Sequence, residues 1–72
     1  MKNYFGKIWQ IRDRYGERWM AAVYDRDTNK FIGGQLNVEE CFSKREAIAF
    51  LRKRFGECCW GKPEIEVEGS VE

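Results

Sequence analysis

Hydrophobic and polar residues alternate near the N-terminus, as expected of strands in a sheet that is buried on one face. In the stretch 7–14, Trp9 and Ile11 fall on one face. The other face carries Ile8, Gln10, Arg12 and Arg14. Tyr15 and Gly16 then indicate a turn. This stretch is therefore predicted to be the first strand, with its polar face outward.

A second alternating stretch, 18–24, separates small from large side chains. One face carries Trp19, Ala21 and Val23, and the other carries Met20, Ala22 and Tyr24. The sequence DRDTNK follows, and its Asp and Asn residues favour a turn because their side chains hydrogen-bond the local backbone. A hairpin is predicted, with a third strand over 31–42. In that strand Gly33 and Gly34 indicate a bulge, Leu36 and Val38 face the core, and Gln35, Asn37 and Glu39 face away.

The clearest helix signal begins at Ser43, a residue type that caps helices, with Glu46 three residues later and Gly56 as the expected stop. Apolar residues recur on one side of this segment. They are Ala47, Ile48, Leu51 and Phe55, with Phe50 at the edge of the stripe. Such a helix must cover a sheet. The helix is expected to pack against the sheet face formed by Trp19, Ala21 and Val23.

The predicted fold is a single α+β domain over 1–72 with its core in 7–56. It consists of a three-stranded antiparallel sheet covered on one face by a single helix, in the order β-β-β-α. The segment 63–72 is acidic and alternates Glu with Ile65 and Val67, so a short fourth strand at the sheet edge is expected there, with a frayed tail as the alternative.

Composition then restricts the chemistry. The 72 residues include no histidine, the commonest general base and metal ligand, so we expect neither an enzyme nor a metal or cofactor site. Three cysteines lack zinc or redox spacing and indicate free thiols in a reducing, cytoplasmic compartment. No apolar run is long enough to span a membrane. A non-catalytic binding module is the class that is left.

The face of the sheet opposite the helix is the candidate surface. Arg, Gln, Asn and Tyr side chains there could contact phosphates and base edges in the major groove of double-stranded DNA. The candidate nucleic-acid residues are Arg12, Arg14, Tyr24, Arg26, Gln35 and Asn37.

Three runs carry a family resemblance: W-x-A-x-V-Y-D at 19–25, D-T-N-K at 27–30, and F-S-K-x-E-A at 42–47. Together they resemble the three-stranded-sheet-plus-helix DNA-binding domain of tyrosine-recombinase arm-binding modules and of plant ethylene-response factors. The resemblance covers roughly 7–55. It implies that the sheet enters the major groove and that Arg12 and Arg14 contact DNA.

The alternative is a protein-binding inhibitor of a host enzyme or defence complex, encoded by a phage or mobile element. Exposed apolar anchors, or glutamates that imitate phosphates, would then meet the host protein. The candidate partner-binding residues are Met20, Tyr24, Trp60, Glu64, Glu66 and Glu68. The C-terminal strand could also pair edge to edge in a homodimer.

Overall fold

The computed structural model describes residues 3–68, which form one mixed sheet and one helix. The strands are β1 (Tyr4–Asp13), β2 (Gly16–Asp25), β3 (Lys30–Phe31), β4 (Val38–Cys41) and β5 (Ile65–Glu68), and the helix α1 is Lys44–Glu57. A short 3-10 helix, Gln35–Asn37, precedes β4. No helix in this part of the chain has both the length and the apolar character needed to cross a membrane.

The strands lie in the order β3-β2-β1-β5, and β4 pairs with β2 on the same side as β3. All pairs are antiparallel except β1 with β5, which is parallel. The α+β class, the single helix and the C-terminal strand are thus confirmed. The sheet is larger than the predicted three-stranded one, because it has five strands.

The predicted third strand is broken in two by its glycine pair. Gly33 and Gly34 have φ of +88° and +92°, in a region that favours glycine, and the chain then turns through the 3-10 helix. Leu36 sits on this turn with 70% of its surface exposed, so the prediction that it faces the core is wrong. Only after the turn does the chain rejoin β2 as β4.

Both predicted turns form around Asp side chains. Asp13 Oδ1 accepts a hydrogen bond from Tyr15 N at 2.8 Å, closing the two-residue turn between β1 and β2. Asp25 Oδ1 accepts one from Asp27 N at 2.8 Å in the turn before β3, where Asn29 takes φ of +60°. The short polar side chains therefore act as expected of them in turns.

Helix α1 begins as its sequence predicts. Ser43 Oγ accepts a hydrogen bond from Glu46 N at 3.1 Å, and Glu46 Oε1 in turn accepts one from Phe42 N at 3.0 Å. The helix continues one residue beyond Gly56. Its buried side is formed by Ala47, Leu51 and Phe55.

The helix lies very close to β1, at Gly6. A Cβ atom built on Gly6 would stand 2.6 Å from Leu51 Cδ1, so any larger residue there would have to displace the buried Leu51 side chain. Gly6 and Ile8 are opposite Val23 and Ala21, and Ile8, Val23 and Ala21 are fully buried in the core with Leu51.

This packing reverses the predicted faces of the first strand. Ile8 belongs to the core, while Trp9 and Ile11 point to the side of the sheet away from the helix. Gln10 and Arg12 are on the helix side, because Gln10 lies opposite Trp19 and Arg12 opposite Glu17. The physical reason is the close helix contact, which requires Gly6 beneath Leu51 and so fixes which residues of β1 face inward.

Replacing Gly6 with alanine is expected to destabilise the domain by about 1–3 kcal/mol, since the added methyl group must displace Leu51. The matched control is Gly56→Ala. A Cβ at Gly56 meets nothing within 4 Å, so this helical substitution should stabilise by about 0.5–1 kcal/mol. Urea denaturation of both variants measures the change in the free energy of unfolding. Equal effects of the two substitutions would contradict the close packing of the helix on β1 at Gly6.

Candidate functional site

The side of the sheet away from α1, here called the open face, has no second layer over it in residues 3–68. Residues directly opposite each other in paired strands share a face. The pairing therefore assigns to the open face Phe5, Lys7, Trp9, Ile11 and Asp13 of β1, Arg18, Met20, Ala22 and Tyr24 of β2, and Phe31, Val38, Glu40, Glu66 and Glu68 of the outer strands.

The centre of the open face is apolar. Phe5 and Ala22 are buried beneath their neighbours, with 2% and 1% of their surfaces exposed. The Phe5 and Tyr24 rings stand 5.7 Å apart, and Phe31 lies 6.2 Å from Tyr24. The half-buried members are Trp9, Ile11, Met20, Tyr24 and Val38. Large apolar side chains thus cover a face that the helix cannot reach.

Several cations around this apolar centre are paired with carboxylates. Lys7 Nζ lies 3.8 Å from a Glu68 oxygen and 4.7 Å from the centre of the Tyr24 ring. Arg18 bridges the carboxylates of Asp13 and Glu40.

Arg26 lies at the edge of the open face near β5. It pairs with Glu64, and its guanidinium lies 4.4 Å over the Phe5 ring. The open face therefore has an apolar centre and a rim of ion pairs in which positive charge is largely compensated.

The predicted nucleic-acid residues are not brought together. Arg12 is on the helix side and pairs with Glu17 at 2.9 Å, while Arg14 lies at the exposed hairpin tip, 5.1 Å from the Tyr15 ring. Gln35 is exposed on the 3-10 helix. Only Tyr24 and Arg26 lie on or beside the open face.

Asn37 has a role within the fold. Its Nδ2 donates a hydrogen bond to the Gly33 carbonyl at 2.7 Å, and its Oδ1 accepts one from Arg54 Nε at 2.8 Å. The side chain thereby ties the glycine turn to helix α1.

Because of these two bonds, Asn37→Ala is expected to lower the free energy of unfolding by about 1–2 kcal/mol. Asn37→Asp should lose less, since the carboxylate still accepts from Arg54. Gln35→Ala, two residues earlier in the same 3-10 helix but with an exposed side chain, should stay within about 0.5 kcal/mol of the parent. Thermal denaturation measures the order of stability of the three variants. An Asn37→Ala variant as stable as Gln35→Ala would show that the Asn37 side chain does not stabilise the contact between the glycine turn and helix α1.

The predicted partner-binding residues divide between two surfaces. Met20, Tyr24, Glu66 and Glu68 belong to the open face, and Glu64 joins its rim through Arg26. Trp60 lies on the helix side, half-buried, with its ring 5.3 Å from Phe55 and 4.7 Å from Tyr4. Trp60 therefore packs against the core.

The sequence interpretation missed Phe5, Trp9, Ile11 and Phe31 as members of the open face. The signal was present in the alternation, because Phe5, Trp9 and Ile11 share one parity along β1. Both parities of this strand carry large apolar residues, so alternation alone could not say which one the helix covers.

The cysteines are free, as predicted. Cys41 is buried, and burial raises the pKa of its thiol, with further contributions from the nearby carboxylates of Glu39, Glu46 and Glu40. Cys59 is exposed. Within residues 3–68, no three His, Cys, Asp or Glu side chains come together in a way that could hold a metal ion.

At neutral pH iodoacetamide should alkylate Cys59 well before Cys41, because Cys41 is both shielded and kept protonated. Because the pKa of the Cys41 thiol is raised in the folded state, the protonated thiol contributes stability at low pH. That contribution is lost as the pH rises through the range in which the thiol ionises. Residue-level mass spectrometry after timed labelling measures the order. Equal labelling rates in the folded protein would contradict the burial of Cys41.

Comparisons with protein families, with curated proteins and with solved structures found no match for this chain. The functional argument therefore rests on the geometry of the surfaces themselves.

Proposed function

We propose that this chain is a non-catalytic module that binds another protein through the open face of its sheet. The observation that supports this most directly is the arrangement of that face, with an apolar and aromatic centre inside a rim of ion pairs. Protein interfaces commonly combine a desolvated centre, rich in aromatic residues and Met, with a polar rim. Trp9, Met20 and Tyr24 are the proposed anchors.

Double-stranded DNA is a poorer fit to the same face. Affinity for DNA comes largely from uncompensated Lys and Arg side chains near phosphates. On the open face Arg18 bridges two carboxylates, and Lys7 and Arg26 each have a glutamate partner. We therefore favour an apolar strip on a protein, such as one side of a helix, as the occupant. Inhibition of a host enzyme or defence complex is the role that we propose for such binding.

A second candidate, DNA binding, draws its support from the helix. Cationic side chains along α1 include Lys44, Arg45, Arg52 and Lys53, which make no ion pair with any residue in 3–68. Phosphate contacts by this helix would make binding fall steeply with salt. Such binding would use the opposite side of the molecule from the open face.

The test compares Met20→Gln with Tyr15→Gln. Both changes replace a large side chain with a polar one, but Tyr15 is 76% exposed at the hairpin tip and outside the open face. A protein captured from host lysate is identified, purified and titrated with each variant. Met20→Gln is expected to weaken its binding by about tenfold or more, and Tyr15→Gln by less than about twofold.

Two parallel measurements separate the alternatives. A DNA-shift titration at two ionic strengths, with Arg52→Gln as the variant, reports binding by the helix. Sedimentation reports self-association. Salt-sensitive DNA binding that Met20→Gln leaves intact would favour the second candidate, and a dimer that Met20→Gln dissociates would assign the open face to a second copy of the chain.

A further inference from the structure

A groove separate from the open face runs between β4, the 3-10 helix before it and helix α1. It has a volume of about 730 Å³. Leu36 and Phe42 stand at its sides with 70% and 81% of their surfaces exposed, and Phe50 contributes from the helix. Neither Leu36 nor Phe42 belongs to the hydrophobic core.

One end of the groove is negatively charged. Glu39 and Glu40 line it from β4, and Glu46 lines it from the first turn of α1. Their combined field adds to burial in raising the pKa of the Cys41 thiol between them. Glu39 makes no ion pair or side-chain hydrogen bond within the described chain, whereas Glu40 pairs with Arg18.

The helix side contributes two cations and one further carboxylate. Arg54 is engaged by Asn37 and lies 3.8 Å from Glu57, so its charge is partly compensated. Lys53 lines the groove as well. Four glutamates line the groove against two cations, and Arg18 pairs with Glu40 from outside it, so a net negative charge is left that favours a positively charged occupant.

One wall of the groove is also a sheet edge. In residues 3–68, β4 pairs with β2 alone, so its second edge carries backbone groups that no strand satisfies. An exposed edge of this kind is a template for an added strand, and backbone hydrogen bonds supply affinity in such complexes.

We infer that β4 and this groove accept an extended segment of another protein in which Lys or Arg alternates with bulky apolar residues. The segment adds to β4 as a further strand. Its apolar side chains lie in the groove against Leu36, Phe42 and Phe50. Its cations alternate to the other side of the added strand, where Glu40 lies, and remain within the negative field of Glu39 and Glu46.

A second copy of the chain is a poor occupant. Its accessible edge strand, β5, carries Glu66 and Glu68 and follows Glu64, so pairing it with β4 would bring like charges together. The inference goes beyond the function proposed for the open face, because the two surfaces have different walls and different anchors.

The test uses fluorescein-labelled heptapeptides and fluorescence anisotropy on the whole chain. The probe is Lys-Leu-Lys-Phe-Lys-Leu-Lys with blocked ends. One control replaces every Lys with Glu, and another replaces the central Phe with Pro, which cannot complete a strand ladder. The probe is expected to bind, and each control to bind at least about tenfold more weakly.

Variants locate the site. Glu39→Lys should weaken probe binding by about five- to tenfold, and Phe42→Ala by a similar factor. Their matched controls are Glu66→Lys, on the opposite edge strand, and Tyr15→Ala, an equally exposed aromatic residue. Both controls should stay within about twofold of the parent. Hydrogen exchange should slow in β4 when the probe is bound.

Absence of probe binding would overturn the inference. So would an equal loss of probe affinity in Glu39→Lys and Glu66→Lys, because it would show general charge attraction and no defined site. Undiminished binding of the proline peptide would overturn strand addition. Trp9 is an open-face anchor on β1, which does not pair with β4, so probe binding by a Trp9→Gln variant separates a failure of the groove from a failure of the open face.

Discussion

The close contact between Leu51 and Gly6 determines much of what this molecule presents to its surroundings. Because helix α1 needs a residue without a side chain beneath it, Gly6 and Ile8 face inward, and strand alternation then directs Phe5, Trp9 and Ile11 to the other side. A chain with one helix can cover only one face of its sheet. The uncovered face thus receives large apolar side chains as a direct result of how the covered face is packed.

The two proposed binding surfaces differ in the interactions that they offer to a partner. The open face is a broad area whose cations are all paired with carboxylates and whose apolar side chains shield one another, with Phe5 and Ala22 already buried before any partner arrives. The groove offers fewer apolar groups, but it adds a free sheet edge and the carboxylate of Glu39, which makes no ion pair within residues 3–68. Association at the first would depend on removing water from apolar surface, and at the second on charge and backbone pairing.

Much of the fold could be predicted from the sequence, because local signals were strong. Ser43 and Glu46 mark the helix start, and the turns are marked by Tyr15 with Gly16 and by the run DRDTNK, where hydrogen bonds form within a few residues. The faces of β1 could not be predicted, since Ile8 and Trp9 are both apolar and the choice between them is made by a helix some 40 residues later in the chain. The groove was also missed. Its walls meet only because Gly33 and Gly34 turn Leu36 outward.

The parallel pairing of β5 with β1 affects the order in which the sheet can form. The β1–β2 and β2–β3 hairpins join neighbouring segments, but residues 65–68 must return to Gly6 from the far end of the chain. Closing so long a loop costs more entropy than closing a hairpin, and contacts of high sequence separation slow folding. During synthesis the edge of β1 at residues 6–9 thus stays unpaired until β5 is made, and only then does the free edge at these residues pass from β1 to the short, glutamate-rich β5.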